Sequence, residues 1–312
     1  MPSSSSASLL RAAARHEAGH ATAAELFAGM RGITQPVIRR IDVYSDGSGG
    51  VHYADTPSVP DPLKPRLCIA HTHDLLHSGS PFICDAVCDF QIASSQDLYN
   101  NRQSAILGDT LAAVARDILR ACGLPVAADF DVSTLYDWLT VHGAAPPHGY
   151  SAAFGDGDHA PAGYADAAFF VGSLLAHAGY TDRRAIAADL LVVLAGPAAE
   201  GVGIKSRAAQ NDRFVSDALF DALHATADFY VSTAVLDATR SEILKILADV
   251  LGHPQIRDAR QGLEDLLIAH DTIAGDPYAA WAAEVRGLAA SPSIMPALAH
   301  ALDAADTLLI PG

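Results

Sequence analysis

Apolar residues recur at helical spacing along much of the chain. Leu9, Leu10, Ala13, Ala21, Ala24 and Phe27 mark one face of Ala7–Met30, which predicts a long first helix closed by Gly29 and Gly32. The pattern then changes. Val37–Tyr44 alternates Val37, Ile38, Ile41 and Val43 with polar positions, which predicts a strand. Ser45–Gly50 is rich in turn formers and Val51–Tyr53 resumes the extended pattern, so a hairpin or small sheet follows the first helix. Thr56–Pro65 holds four prolines and is expected to be irregular. Helical periodicity returns over Leu67–Leu124, most clearly at Leu98–Ala121, and again at Phe130–Val141. Gly143–Gly163, rich in Gly, Pro, Ala and His, reads as a long exposed loop. Helices are then predicted at Ala165–Gly179, Arg183–Val202, Asp212–Leu251 with a break near Tyr230–Ser232, Gln255–Thr272, Pro277–Leu288 and Ile294–Leu309. The expected fold is mainly α with a small β-sheet near the N-terminus. A flexible tail covers residues 1–6, and one domain covers 7–312.

Inside the first predicted helix stands His16-Glu17-Ala18-Gly19-His20, an H-E-x-x-H pattern. Residues four apart share a helix face, so His16 and His20 project side by side. Two imidazoles held that way can grip one zinc ion, and Glu17 can reach a water bound to it. The pattern alone also arises by chance, so its surroundings decide its meaning.

Composition narrows the classes. The chain has 312 residues, 50% of them hydrophobic and 18% charged, enough to bury a substantial core. A net charge of −16 argues against a nucleic-acid backbone or an anionic membrane surface as partner. No apolar run long enough for a transmembrane helix is visible, and no secretory signal. Cys68, Cys84, Cys88 and Cys122 are too few and too clustered for a disulfide framework, and a cytoplasmic location is expected.

Three segments resemble the peptidase domain of FtsH-type zinc proteases. Ala14–Ala21 extends the match to that family's metal helix beyond the minimal motif. Ile41-Asp42-Val43 through Gly50-Val51 is similar to its strand, turn and Gly-Val. Leu194-Ala195-Gly196-Pro197-Ala198-Ala199-Glu200, followed by Ala208-Ala209-Gln210-Asn211-Asp212, resembles its Leu-x-Gly-x-x-Ala-Glu helix and its Asn-Asp metal segment. The resemblance covers about residues 7–55 and 183–272, less than half the chain, and implies a zincin-like metallopeptidase fold.

It also implies roles. Zinc would be held by His16, His20 and Asp212, with Glu17 as general base. Asp212 has a competing reading as a helix N-cap, and Asp217 and Asp221 are nearby alternatives. Glu200 would hydrogen-bond a ligand histidine and fix its tautomer; the alternative is a surface helix glutamate. Gly196 is expected to permit close approach of its helix to the metal helix. Pro197 departs from the family pattern and would kink its helix or mark its first turn. Gly49–Tyr53 is the expected edge strand for a substrate backbone, with Gly50 and Val51 as contacts.

Other departures matter. The family couples this domain to an ATPase and a membrane anchor, and no phosphate-binding loop is found: Ile204 stands where its second Gly should be, before Lys205-Ser206. The stretch between His20 and Asp212 is unusually long and implies a mostly helical insertion at about 56–180. The expected activity is therefore ATP-independent cleavage of flexible peptides, unfolded chains or a dedicated protein substrate, with a separate partner protein an option. Two rival classes remain: a non-catalytic peptide- or partner-binding protein on a protease-like scaffold, and a zinc hydrolase of small amides. His71, His73 and His77, with His142, His148 and His159, lack neighbouring ligand-spaced carboxylates and read as surface or packing residues. Ser104, Ser151 and Ser173 lack a nucleophile-elbow context, and Asp156 and Asp158 lack a calcium-loop pattern.

Overall fold

A computed structural model describes residues 4–53, 116, 183–201, 210–224 and 233–309. The predicted elements within 56–180, the break near Tyr230–Ser232, the four cysteines and the six histidines set aside above lie outside the described residues, apart from Arg116, which is helical. The described residues are mainly helical, with one small antiparallel sheet. Among them, no helix is long and apolar enough to cross a membrane.

Contacts divide the chain into two compact units. One comprises Met1–Val59, Ala187–Arg213 and Asp237–Gly312; the other comprises Pro60–Ile186 and Phe214–Leu236. The first unit holds the sheet and all the expected site residues.

Helix α1 (Ser4–Met30) is its axis. It begins before the predicted Ala7, so Ser4–Ser6, expected as tail, belong to the helix. Every residue from His16 to Ala28 is buried, because α1 is covered on all sides rather than along one stripe. The sequence allows this: Ala18, Gly19, Ala21, Ala23, Ala24 and Ala28 keep the helix thin.

Strand β1 (Ile38–Val43) pairs antiparallel with β2 (Gly49–Tyr53) in the predicted hairpin. The turn between them is closed by Tyr44 N–H to Ser48 O at 2.8 Å, and Asp46 Oδ1 accepts from Ser48 N–H at 2.9 Å. A third strand, β3 (Thr272–Ala274), pairs with the other edge of β1, giving the order β2-β1-β3 with β2 at an edge among the described residues. Asp42 ties the three strands together. Its carboxylate accepts from the Thr272 hydroxyl at 2.7 Å and lies 2.7 Å from Arg40 Nε and 2.9 Å from His52 Nε2.

The remaining helices are α2 (Arg183–Val193), α3 (Ala195–Glu200), α4 (Gln210–His224), α5 (Thr233–Gly252), α6 (Pro254–His270), α7 (Gly275–Ala289) and α8 (Met295–Leu308). Two further predictions need correction. The single helix Arg183–Val202 is interrupted at Leu194, because Pro197 has no N–H to give to the carbonyl four residues before it. The helix Gln255–Thr272 ends at His270. Asp271 turns left-handed at φ 59°, donates its N–H to Leu267 O at 2.8 Å, and releases Thr272 into β3.

Helices α3, α6 and α7 pack directly on α1, as do β1 and β2. A buried ion cluster fixes one end of this packing. Glu25 accepts from Tyr278 Oη at 2.7 Å and from the Val37 N–H at 3.1 Å on one oxygen, and from Arg286 Nη1 on the other.

Candidate metal centre

His16 and His20 sit one turn apart on the buried stretch of α1, and their Nε2 atoms are 3.0 Å apart. Each ring is oriented through its other nitrogen. His16 Nδ1 lies 2.5 Å from Glu200 Oε1 at the end of α3, and His20 Nδ1 lies 2.9 Å from the carbonyl oxygen of Val192 near the end of α2. An Nδ1–H donated to each acceptor leaves both Nε2 lone pairs directed to the same place.

Asp212 occupies that place. It is the third residue of α4, inside the first turn, so it is not the N-cap. Its Oδ2 is 3.0 Å from His16 Nε2 and its Oδ1 is 3.2 Å from His20 Nε2. Among the described residues, His16, His20 and Asp212 form the one group of three such side chains able to hold a metal ion, and all three are buried. Asp217 is not a member, and the Asp221 side chain lies outside the described residues.

Two further observations fit a cation here. Asp212 Oδ2 is buried and receives no aligned hydrogen bond, although His16 Nε2 is close by. Gly196, in α3, covers the imidazole nitrogens: a β-carbon on it would stand 2.4 Å from His20 Nε2 and 2.8 Å from His16 Nε2. The space beside the ligand nitrogens thus exists because Gly196 has no side chain. The close approach of α3 to α1 expected at Gly196 is thus made against the imidazoles, and Gly19 on α1 adds to it, since a β-carbon there would meet Ala195 O at 2.5 Å and Ala199 Cβ at 2.7 Å.

The charges are strongly coupled. Burial works against charge on both imidazoles, but the Asp212 carboxylate outweighs it, holding His16 well above and His20 above the ordinary histidine value. Burial also resists charge on Asp212, yet His20 and His16 beside it hold that carboxyl well below the usual range. Burial pushes the Glu17 carboxyl up, against the opposing pull of His16 and His20.

Glu17 is 7% exposed and reaches the sheet. Its Cγ and Oε1 fill the space a side chain at Gly49 would need, each 2.8 Å from the position of that β-carbon. The expected contacts Gly50 and Val51 are on the same edge strand, but a β-carbon on Gly50 would meet nothing nearer than His52 Nε2 at 3.8 Å. The sequence places Gly49 in the edge strand but not against Glu17, and it does not single out the Val192 carbonyl. Strand alternation was a usable signal for Gly49, which shares a face with Val51 and pairs with Val43. A backbone carbonyl carries no residue signal at all.

Comparison of the chain with known protein families, with curated proteins and with solved structures finds no match.

Proposed function

We propose that the chain is a zinc-dependent endopeptidase with a zincin-like fold of the FtsH peptidase type, acting on flexible peptides or unfolded protein without ATP. One observation carries the reading: two imidazole nitrogens and one carboxylate converge at 3.0–3.2 Å spacings, with both remaining imidazole nitrogens hydrogen-bonded. Zinc with bonds of about 2.0–2.1 Å in tetrahedral geometry spaces its ligand atoms by about 3.3 Å, close to this arrangement. Two histidines and a carboxylate are also a donor set of catalytic zinc sites, which keep one position open.

Zinc bound there would supply a Lewis acid and a water acidic near neutrality. The chain's own residues do the rest. His16, His20 and Asp212 would hold the ion. Glu200 and the Val192 carbonyl fix the imidazole tautomers. Glu17, its carboxyl raised by burial, takes the proton of the attacking water and returns it to the leaving amine. Glu17 lies against β2, an edge strand among the described residues, so a substrate backbone pairing beside Gly50 and Val51 would run past the base.

The test compares wild type with Glu17→Gln for zinc content and for cleavage of a casein-like unfolded chain. Both proteins should hold stoichiometric zinc, and the variant should lose activity by about 100- to 10,000-fold. Absence of bound zinc would point to the non-catalytic rival; cleavage confined to small amides would point to the other.

A further inference from the structure

We infer that Gly49 is a positioning residue: its missing side chain is the berth that seats the Glu17 carboxyl against the edge strand. The inference rests on the peptidase reading for its consequence and on packing for its substance. A β-carbon on Gly49 would stand 2.8 Å from Glu17 Cγ, 2.8 Å from Glu17 Oε1 and 3.0 Å from the carbonyl oxygen of Asp42. The first two atoms belong to the base. The third belongs to the middle strand of the sheet, which cannot give way without breaking its pairing to β2 and β3. Nor can α1 retreat, since it is buried on all sides from His16 to Ala28. Any side chain at Gly49 must therefore turn the Glu17 carboxyl out of its present position.

The same strand then does two jobs. Its inner face at Gly49 sets where the base stands. Its outer edge, unpaired among the described residues, sets where a paired peptide backbone lies. A peptide aligned on β2 is thereby registered against Glu17 through one short piece of backbone, with no intervening side chain to flex. The neighbouring glycine supplies an internal control. Gly50 faces away, where an added β-carbon has only an ordinary contact at 3.8 Å, and neither glycine has a positive φ. Gly49→Ala and Gly50→Ala thus add the same methyl to the same strand, but only the first sets it against Glu17.

The experiment is a crystal structure of each variant in the full chain, with zinc content and steady-state cleavage of an unfolded chain alongside. Gly49→Ala should show the Glu17 side chain rotated away from β2. It should keep stoichiometric zinc, since none of its clashes involves a ligand, and kcat should fall on the order of 100-fold with KM little changed. Gly50→Ala should leave the Glu17 position as in wild type. An unmoved Glu17 in Gly49→Ala, or equal displacement in both variants, overturns the inference. If wild type cleaves nothing, the peptidase reading falls, while the two crystal structures still decide whether Gly49 seats Glu17.

Discussion

Gly196 lies so close to His20 that the α-hydrogen of a glycine is all the site tolerates: a β-carbon there would be 2.4 Å from the imidazole Nε2. That nitrogen is one of the three converging donors, and the second, His16 Nε2, is only slightly farther from the same point at 2.8 Å. The backbone of α3 is therefore a wall of the candidate metal centre. Gly196→Ala is expected to fold, at an overpacking cost of about 1–3 kcal/mol, but to lose zinc. Mass-spectrometric metal content measured beside a thermal melt checks this. A cooperative melt with little zinc is the expected pair of results; wild-type zinc affinity in the variant would refute the assignment.

The two imidazoles are held by chemically different partners, and the difference is measurable. His16 leans on the Glu200 carboxylate at 2.5 Å, whereas His20 leans on a backbone carbonyl. Only the first can be removed by substitution. Glu200→Ala should weaken zinc binding by about 10- to 100-fold, and Glu200→Gln, which keeps an acceptor oxygen but not the charge, should lose less. Competition against a chromophoric chelator gives both affinities. Equal binding by all three proteins would return Glu200 to the role of a surface helix glutamate.

These contacts show what a single sequence reveals. His16 and His20 were legible because helical spacing alone puts them on one face. Asp212 was not: spacing left the N-cap, Asp217 and Asp221 open, and a resemblance to a known family singled it out. Strand β3 escaped because Thr272-Ile273-Ala274 is too short to show alternation and follows a helix without a Gly or Pro to mark the end; Asp271 adopts the left-handed turn instead. Gly196 was legible as a close-approach glycine and Gly19 was not; which atoms each one meets depends on how α1 and α3 are rotated, and that is tertiary information.

The acid–base coupling of the centre predicts opposite pH behaviour with and without metal. In the metal-free protein, His16 and His20 have pKa values raised above 6.5 by Asp212, against the effect of burial. Their stabilisation is fully present below 6.5 and is lost as pH rises through the raised values. Asp212 is depressed below 3.8, so its contribution is present above 3.8 and lost as pH falls through the depressed value. Glu17, raised from 4.5 by burial, adds a further loss as pH rises. Metal-free protein should therefore melt at lower temperature as pH climbs above 6.5. Zinc must displace the imidazole protons, so its apparent affinity should rise over the same interval and protons should be released on binding. Melts of both forms across pH check the signs, and Asp212→Asn should flatten the metal-free curve.

The last prediction concerns the far end of the metal helix. Glu25 is fully buried, and Arg286 is its cationic partner, with Tyr278 and the Val37 N–H completing the shell. Removing the cation strands a buried carboxylate, so Arg286→Met should cost about 3–5 kcal/mol. Replacing both partners, as in Glu25→Leu with Arg286→Met, should restore much of that, because it is the uncompensated charge that is expensive. Burial already pushes the Glu25 carboxyl up despite Tyr278 and Arg286, so the Arg286→Met deficit should shrink as pH falls and Glu25 takes a proton. Zinc should offset part of the loss by mass action, since the native centre would bind the ion far better than the unfolded chain does. Urea unfolding of the single and double variants, with and without zinc and at acid and neutral pH, separates these contributions. A deficit in Arg286→Met that is the same at both pH values would show that the side chain acts through packing and not through charge.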